Sequence, residues 1–374
     1  MKRDRPSARF LSHRLALAPL VAPTHPHLLQ ATIHQLGTFG EERFLHFLQQ
    51  QGLAPLWSEL LGDNPETALH LAPEFLQALK KNRLDSTAGY LLQQQALPLI
   101  RRTLDGAGIT HAVFKGAQLR ESCYAKPALR PATDIDVLVS PADRVSAISA
   151  FLDQGFTLYA PPKNISHEVC LYKGSTYIDL HWDILRPGRT RIAVAGSILE
   201  QRRDCGVLWA PSEAATLFLA LVHPVFTKHV TTPQASLIRQ VDLALLLQQQ
   251  QWPTASTAAL VSLAEDTGLR SAAWLSLKWH ELLVGGSDSL QGLVDALQPG
   301  IFKARYLNRW LRDDLASRLA RFPILVHAGL TLPVHDRLRD VVRAVAVARR
   351  LRRQAADEVK YLNRQLAAAS VRKH

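Results

Sequence analysis

Hydrophobic residues recur every three to four positions over much of the first hundred residues. This spacing puts apolar side chains on one face of a helix, so we predict a helical region at 1–100, interrupted by prolines at 18–26 and 54–65. The same spacing returns from 212 to 283 and predicts further helices. The first pattern is carried by Leu28, Leu29, Ile33, Leu36, Phe44, Leu45, Phe47, Leu48 and the run from Tyr90 to Leu99.

Between these regions the pattern changes to short apolar runs separated by turn residues. It predicts a helix at 143–154, a strand at 155–159 and a hairpin that pairs 169–172 with 176–181. We therefore expect an α+β fold, with a small mixed β-sheet core at 101–210 backed by helices. Flanking it we expect the N-terminal helical region at 1–100, a helical domain at 211–300 and a basic helical region at 301–374.

Three carboxylates lie within two of the apolar runs. Asp134 and Asp136 alternate with Ile135 and Val137, so on a strand both acids face one side, roughly 6.5–7 Å apart. Asp179 lies in the second run and reaches the same place if its strand pairs beside the first, about 4.8 Å away. Acids beside an apolar core are costly unless a cation compensates.

Hard divalent ions take carboxylate oxygens and complete their coordination with water and phosphate. We therefore favour a site in which Asp134, Asp136 and Asp179 bind Mg²⁺ (or Mn²⁺) and carry catalysis. The alternative is a pair of surface strands with solvated acids.

A strand at 109–114 precedes Lys115 and Gly116, and a helix is predicted to begin near Ala117. Such a turn forms an anion site, because glycine lets the backbone approach a phosphate and the first helical turn presents free N–H groups. We predict that Lys115 and Gly116 bind the phosphates of a nucleotide. The alternative for Lys115 is a solvated side chain.

The loop at 124–133, between this turn and the acids, contains Pro127 and Pro131 and places Arg130 just ahead of the acids. The planar guanidinium can hold phosphate oxygens in a bidentate manner, which predicts a nucleotide-binding role. A salt bridge from Arg130 to Asp134 or Asp136 is the equally weighted alternative.

His181 shares the predicted strand face of Asp179. The ring is placed to orient Asp179 or to contact the nucleotide, and we include it among the nucleotide-binding candidates. A purely structural histidine packed beside Trp182 is the alternative.

The order of these motifs resembles an uncharacterised bacterial nucleotidyltransferase-like family within the polymerase-β-type nucleotidyltransferase superfamily. The resemblance spans about residues 100–245 and includes a downstream helical stretch with a histidine and an Arg-x-x-Asp. It departs from the superfamily at the turn, where Lys115-Gly116-Ala117 stands in place of Gly-Ser or Gly-Gly. The motifs are the Lys-Gly turn, Tyr124-x-x-Pro127-x-x-Arg130, Asp134-x-Asp136, Ile178-Asp179-Leu180-His181-Trp182, His223, and Arg239-x-x-Asp242.

The resemblance implies that Asp134, Asp136 and Asp179 bind two Mg²⁺ ions. It also implies transfer of a nucleoside monophosphate from an NTP to a hydroxyl of a small-molecule, sugar or peptide/protein acceptor. A non-catalytic nucleotide- or nucleic-acid-binding protein with this fold is the alternative. We favour the enzyme because all three acids are present, and an incomplete carboxylate set cannot hold two ions.

Composition narrows the class of protein. The 374 residues, 47% of them hydrophobic, can form two or three domains with real cores. The three cysteines are isolated, which argues against a disulfide framework or a zinc ribbon. The histidines of 25–27 and the His167-Glu168-Val169-Cys170 stretch lack convincing metal-ligand spacing. We find no signal peptide and no run of membrane-spanning length, so we expect a cytoplasmic protein without a membrane span.

Positive charge is concentrated at the C-terminal end. Residues 301–374 contain 17 Lys and Arg against 6 Asp and Glu, hence +11 of the net +12 of the chain. Such a segment can bind nucleic acid or another polyanion. We favour a solvated face of an amphipathic helix, because stacking aromatics are sparse there and apolar residues recur at helical spacing. These residues are Leu338, Val342, Val345, Leu351, Val359 and Leu362.

Overall fold

The structure is a computed structural model, and it describes residues 8–22, 26–159, 167–226, 236–248, 254–351 and 353. Helices dominate the chain before the sheet. Pro55, Pro65 and Pro73 each stand in the first turn of a helix, where the missing N–H of proline costs no hydrogen bond. These helices are α1 (Ala8–Val21), α2 (Pro26–Phe39), α3 (Glu41–Gln50), α4 (Ala54–Gly62), α5 (Pro65–Ala68) and α6 (Pro73–Gly106).

The predicted mixed sheet is confirmed. It has five strands in the order β1-β2-β5-β4-β3, in which β2 and β5 are parallel and the other neighbouring pairs are antiparallel. The elements of this region are β1 (His111–Phe114), α7 (Lys115–Cys123), a 3₁₀ turn (Pro127–Leu129), β2 (Ile135–Val139), α8 (Arg144–Asp153), β3 (Thr157–Tyr159), β4 (Glu168–Lys173) and β5 (Thr176–His181).

The predicted hairpin and the predicted helix after the acid strand are both present, within one or two residues at each end. Helix α7 begins at Lys115, two residues before the predicted start near Ala117. Helix α6 continues to Gly106, past the predicted boundary at residue 100. The division into four regions stays a prediction.

Helices follow the sheet to the end of the described chain. A small two-stranded ribbon, Arg203–Asp204 with Trp209–Ala210, follows the first of these helices, and the described helices from residue 213 onward agree with the apolar spacing of this stretch. The elements are α9 (Ala195–Glu200), β6 (Arg203–Asp204), β7 (Trp209–Ala210), α10 (Glu213–Phe226), α11 (Ile238–Gln248), α12 (Thr254–Thr267), α13 (Arg270–Val284), α14 (Asp288–Leu297), α15 (Ile301–Arg312), α16 (Leu315–Arg318), α17 (Pro323–Val326), a π-helical turn (His327–Thr331) and a helix at 338–351.

The sheet separates two hydrophobic cores. One face packs Ile135, Val137 and Val139 of β2 against α6 and α8. The opposite face contributes Phe114 and Leu138 to a larger core built mainly from helices, including α10, α11 and α13. Alternation along each strand therefore decides which residues meet the helical part of the molecule.

The helix at 338–351 is attached by polar contacts. Asp340 pairs with Arg191 at 2.8 Å, and Arg343 donates to the carbonyl oxygen of Thr190 at 2.7 Å. Our expectation that Leu338 and Val342 pack inward is wrong, since they are 78% and 61% exposed. The buried side is instead formed by residues such as Ala344, while Val359 and Leu362 lie outside the described residues.

No helix among the described residues has both the length and the apolarity needed to cross a bilayer.

Candidate active site

The parallel pairing of β2 with β5 places two of the predicted acids side by side. The Cα of Asp136 is opposite that of Asp179, and Leu138 is opposite His181. The apolar neighbours Ile135 and Ile178 face α6 and α8. Because side chains alternate along a strand, Asp136 and Asp179 share the other face. The expected adjacency of the two strands is confirmed, whereas the role of the acids stays a prediction.

Asp136 is the most strongly contacted of the three acids. Its Oδ1 accepts hydrogen bonds from Lys115 Nζ at 2.6 Å and from His181 Nε2 at 2.8 Å. Burial alone would raise the pKa of Asp136, but the Lys115 charge and the His181 contact hold it well below its usual value. Asp136 is therefore ionised in the folded protein.

Asp134 and Asp179 experience the opposite effect. Burial, and then the nearby charges of Asp136 and Asp179, raise the pKa of Asp134 to about 6. Burial and the charge of Asp136 likewise raise the pKa of Asp179. Asp136 and Asp179 have ligand atoms within 4.8 Å of each other, close enough to share a cation, which would lower the repulsion between them.

Lys115 and Gly116 are the first two residues of α7, directly after the end of β1. Lys115 has a left-handed backbone, φ 56°, which is uncommon for a residue other than glycine, asparagine or aspartate and is found at functional sites. Its side chain is only 15% exposed and pairs with Asp136, so the solvated alternative is wrong. A Cβ at Gly116 would clash with the guanidinium of Arg130, so this glycine makes room for an arginine.

Arg130 pairs with Asp242, the acid of the Arg239-x-x-Asp242 motif. Its Nη2 and Nε contact the carboxylate of Asp242 at 2.7 and 3.2 Å, so the alternative of a salt bridge to Asp134 or Asp136 is wrong. Tyr124 donates to the same carboxylate at 2.7 Å. Burial would lower the pKa of Arg130, but the charge of Asp242 raises it overall.

His181 is completely buried, and its Nε2 contacts Asp136 rather than Asp179. The expected contact with Asp179 is therefore replaced by a contact with Asp136. A contact of His181 with the nucleotide stays a prediction. Burial and the charge of Lys115 lower the pKa of His181.

Two residues near His181 were missed from the sequence. Glu168 Oε2 lies 3.1 Å from His181 Nδ1 and 3.5 Å from His167 Nε2. We dismissed His167 and Glu168 because their spacing alone does not form a metal site. The available signal was the predicted hairpin, which brings the start of β4 beside the end of β5, and Glu168 is opposite His181 in that pairing.

Helices α10 and α11 form the other wall of the cleft that contains Asp134, Asp136 and Lys115. His223 and Arg239 line this wall, with Arg239 Nη1 3.1 Å from His223 Nδ1. Burial, followed by the charge of Arg130, lowers the pKa of Arg239. The motif order named His223, Arg239 and Asp242, but only the fold shows that they face the acids.

The residues present suit a hard divalent cation. Oxygen or nitrogen donors of Asp136, Asp179 and His181 lie within 4.8 Å of one another, and Asp134 lines the cleft together with Asp136. Clustered carboxylates with an open side toward the cleft are the donor set that Mg²⁺ and Mn²⁺ take in phosphoryl-transfer sites.

Comparisons with known proteins agree with this geometry. The sequence model of one family, described as uncharacterised nucleotidyltransferase, matches residues 38–285. The match extends beyond 100–245 on both sides and takes in every residue of the cleft described above. Searches among curated proteins and among solved structures found no match.

Proposed function

Because the chain belongs to the uncharacterised nucleotidyltransferase family, we propose that it transfers a nucleoside monophosphate from an NTP to a hydroxyl of an acceptor. The observation that carries this proposal is the register of Asp136 opposite Asp179. It aligns two carboxylates on one face of the sheet, next to Asp134 and beside a cleft lined by cationic side chains. Phosphoryl transfer needs this combination of acids and cations.

Each side chain has a separate task in the proposed reaction. When bound by Asp134, Asp136 and Asp179, Mg²⁺ or Mn²⁺ would neutralise triphosphate charge and acidify the acceptor hydroxyl. Asp179 is also the candidate base that would take the proton from that hydroxyl. His181 holds Asp136 in orientation through its 2.8 Å contact.

The phosphates would be held by Lys115 and Arg239. Lys115 can exchange its contact with Asp136 for a phosphate oxygen, because its side chain lines the cleft. Arg239 also lines the cleft, and it makes no salt bridge within the described part of the chain. Asp242 already neutralises the charge of Arg130. Arg130 would therefore hold Gly116 and α11 in position and would not form a bidentate contact with phosphate.

A screen of the four NTPs with released pyrophosphate as the readout tests the proposal. We expect release with at least one NTP, dependent on Mg²⁺ or Mn²⁺ and lost in Asp136→Asn. The matched control is Asp183→Asn, because Asp183 is a partly buried acid that follows β5 and accepts a hydrogen bond from the backbone of Ile184 at 2.7 Å. Saturable NTP binding without pyrophosphate release under any acceptor would favour the non-catalytic alternative.

We propose a small-molecule, sugar or peptide acceptor and not nucleic acid. Arg349, Arg350 and Arg353 are exposed and make no contact with the cleft in the described structure. If they bind a polyanion, affinity must fall steeply with salt because counterions are released. We expect weak, sequence-indifferent binding at most. Tight, sequence-selective binding at physiological salt that is lost on changing these arginines to Gln would identify nucleic acid as the acceptor instead.

A further inference from the structure

Three potential metal donors converge on the side of His181 that faces away from Asp136. They are the imidazoles of His167 and His181 and the carboxylate of Glu168, and one donor atom from each lies within 4.8 Å of the others. His167 and His181 are 7% and 0% exposed. The Glu168 side chain is 36% exposed, so the cluster has one side open to solvent.

The distances agree with ligands of one tetrahedral ion. Two donors that each lie about 2.0–2.1 Å from a tetrahedral zinc ion are roughly 3.3–3.4 Å apart. Glu168 Oε2 lies 3.1 Å from His181 Nδ1 and 3.5 Å from His167 Nε2. The two measured distances therefore match a shared ion, the third pair of donors lies within 4.8 Å, and the exposed side leaves room for a fourth ligand.

The hydrogen bonding of His181 leaves a lone pair in this cluster. Asp136 Oδ1 lies 2.8 Å from His181 Nε2, and a carboxylate oxygen accepts a hydrogen bond, so this contact places the ring hydrogen on Nε2. In the neutral ring Nδ1 is then the unprotonated nitrogen. Nδ1 is buried and has no hydrogen-bond partner among the described residues, although a carboxylate oxygen lies 3.1 Å away.

A lone pair and a carboxylate oxygen in such proximity repel each other, and a divalent ion bound by both atoms would remove that repulsion. Metal-bound histidines typically donate their other ring N–H to a carboxylate, which fixes the ring and raises its basicity. Asp136 already supplies that carboxylate to His181. The arrangement is therefore that of a metal ligand with its supporting contact in place.

We propose that His167, Glu168 and His181 form a second metal site, distinct from the acid cluster, for a borderline divalent ion such as Zn²⁺. Two imidazole nitrogens and one carboxylate oxygen suit Zn²⁺ and Co²⁺, whereas Mg²⁺ prefers oxygen ligands alone. The two sites are joined through Asp136 and His181. An ion at the second site would fix the ring that orients Asp136.

The test uses the full-length protein stripped of metal with a chelator. Zn²⁺ is titrated in competition with a chromophoric chelator, and Co²⁺ is added separately to record its ligand-field absorption. The variants are His167→Ala and the isosteric Glu168→Gln. The controls are Cys170→Ser, which removes the nearest thiol on β4, and Asp134→Asn and Asp179→Asn, which alter only the acid cluster. Circular dichroism of each variant shows whether it is folded.

We expect one equivalent of Zn²⁺, weakened at least tenfold in both His167→Ala and Glu168→Gln and changed less than threefold in the three controls. The Co²⁺ spectrum should show tetrahedral bands that both site variants lose. Absence of stoichiometric Zn²⁺ binding would overturn the proposal. So would binding that survives in a folded Glu168→Gln variant but is lost in Asp179→Asn, because the ion would then occupy the acid cluster.

Discussion

The two walls of the cleft differ in how far their buried charges are compensated by opposite charges. On the helix wall, Arg130 and Asp242 form a bidentate ion pair that also binds Tyr124, so the charges of this pair are compensated. Arg239 on the same wall makes no salt bridge within the described residues. On the strand wall, three carboxylates face one ammonium group, that of Lys115. The ammonium group of Lys115 pairs with Asp136, whereas the pKa of Asp134 is raised to about 6.

The difference separates a structural ion pair from a binding site. A compensated pair positions elements and gains nothing from a further ion, whereas an uncompensated carboxylate cluster gains from any cation that it binds. Changes to the strand wall should therefore alter metal binding and the pH dependence of stability. Disruption of the Arg130–Asp242 pair on the helix wall should mainly lower the free energy of unfolding. The following predictions test that contrast, beginning with the largest effect.

Replacement of Asp136 by Asn should have the largest effect on activity. We expect nucleotidyl transfer to fall by about 10³-fold or more, since several kcal/mol of charge stabilisation depend on the metal ligands. Pyrophosphate release measures the loss. The variant should also unfold more readily than the wild type at neutral pH, because Lys115 loses its buried counter-charge.

The pH dependence of that stability loss provides a control. A carboxylate with a lowered pKa stabilises the fold above its ordinary pKa of 3.8, and this contribution is lost as pH falls through the folded-state pKa. The difference in unfolding free energy between wild type and Asp136→Asn should thus shrink in acid. A variant with full activity would refute the assignment of Asp136.

Among changes to the helix wall, replacement of Asp242 by Asn should lower the free energy of unfolding most. Removing one partner of a buried ion pair costs roughly 3–5 kcal/mol of unfolding free energy, because the charge of Arg130 remains buried. Urea unfolding measures this. Calorimetry with Mn²⁺ on the folded variant should show an affinity within about tenfold of wild type, which is 1.4 kcal/mol. Wild-type stability would show that this wall is not a structural ion pair.

Replacement of Asp134 by Asn should raise stability in the absence of metal. The folded-state pKa of Asp134 is about 6 against an ordinary 3.8, so its ionised form opposes folding above that range. The penalty declines as pH falls from about 6 and is gone below the unfolded pKa. We expect a gain of roughly 1–3 kcal/mol near neutral pH.

Thermal unfolding with and without Mg²⁺ sharpens this result. Added Mg²⁺ should stabilise the wild type more than Asp134→Asn, because a ligand that binds only the folded state raises its stability by an amount that grows with the logarithm of its affinity. A variant that is less stable than the wild type at neutral pH without metal would contradict the repulsion among these acids.

Replacement of Lys115 by Ala should have the smallest effect of the four. We expect NTP affinity to fall about tenfold, or 1.4 kcal/mol, through loss of one phosphate contact. Lys126→Ala is the matched control, because Lys126 lies on the loop after α7 with a side chain 62% exposed and pairs with Glu59. Equal, small losses in NTP affinity at both positions would show that Lys115 serves only to balance Asp136.

Local sequence patterns determined the strands and helices of this protein, because these elements follow the periodicity of hydrophobic residues along the chain. The alternation of Asp134 and Asp136 with apolar residues, and the Ile178-Asp179-Leu180 run, specified two buried strands with acids on one face. The turn around Gly174 specified the hairpin that carries the second strand. The mixed sheet and its helical flanks followed from the same patterns, since strand and helix spacing are properties of neighbouring residues.

Tertiary structure decided which side chains meet across long separations. Arg130 selects Asp242, 112 residues away, and not the adjacent acids, because α11 brings that carboxylate against the guanidinium. Glu168 joins His181 only through the pairing of β4 with β5. Charge and residue type identify candidates for such contacts, but a partner is chosen by distance and burial, which are set when the helices pack on the sheet.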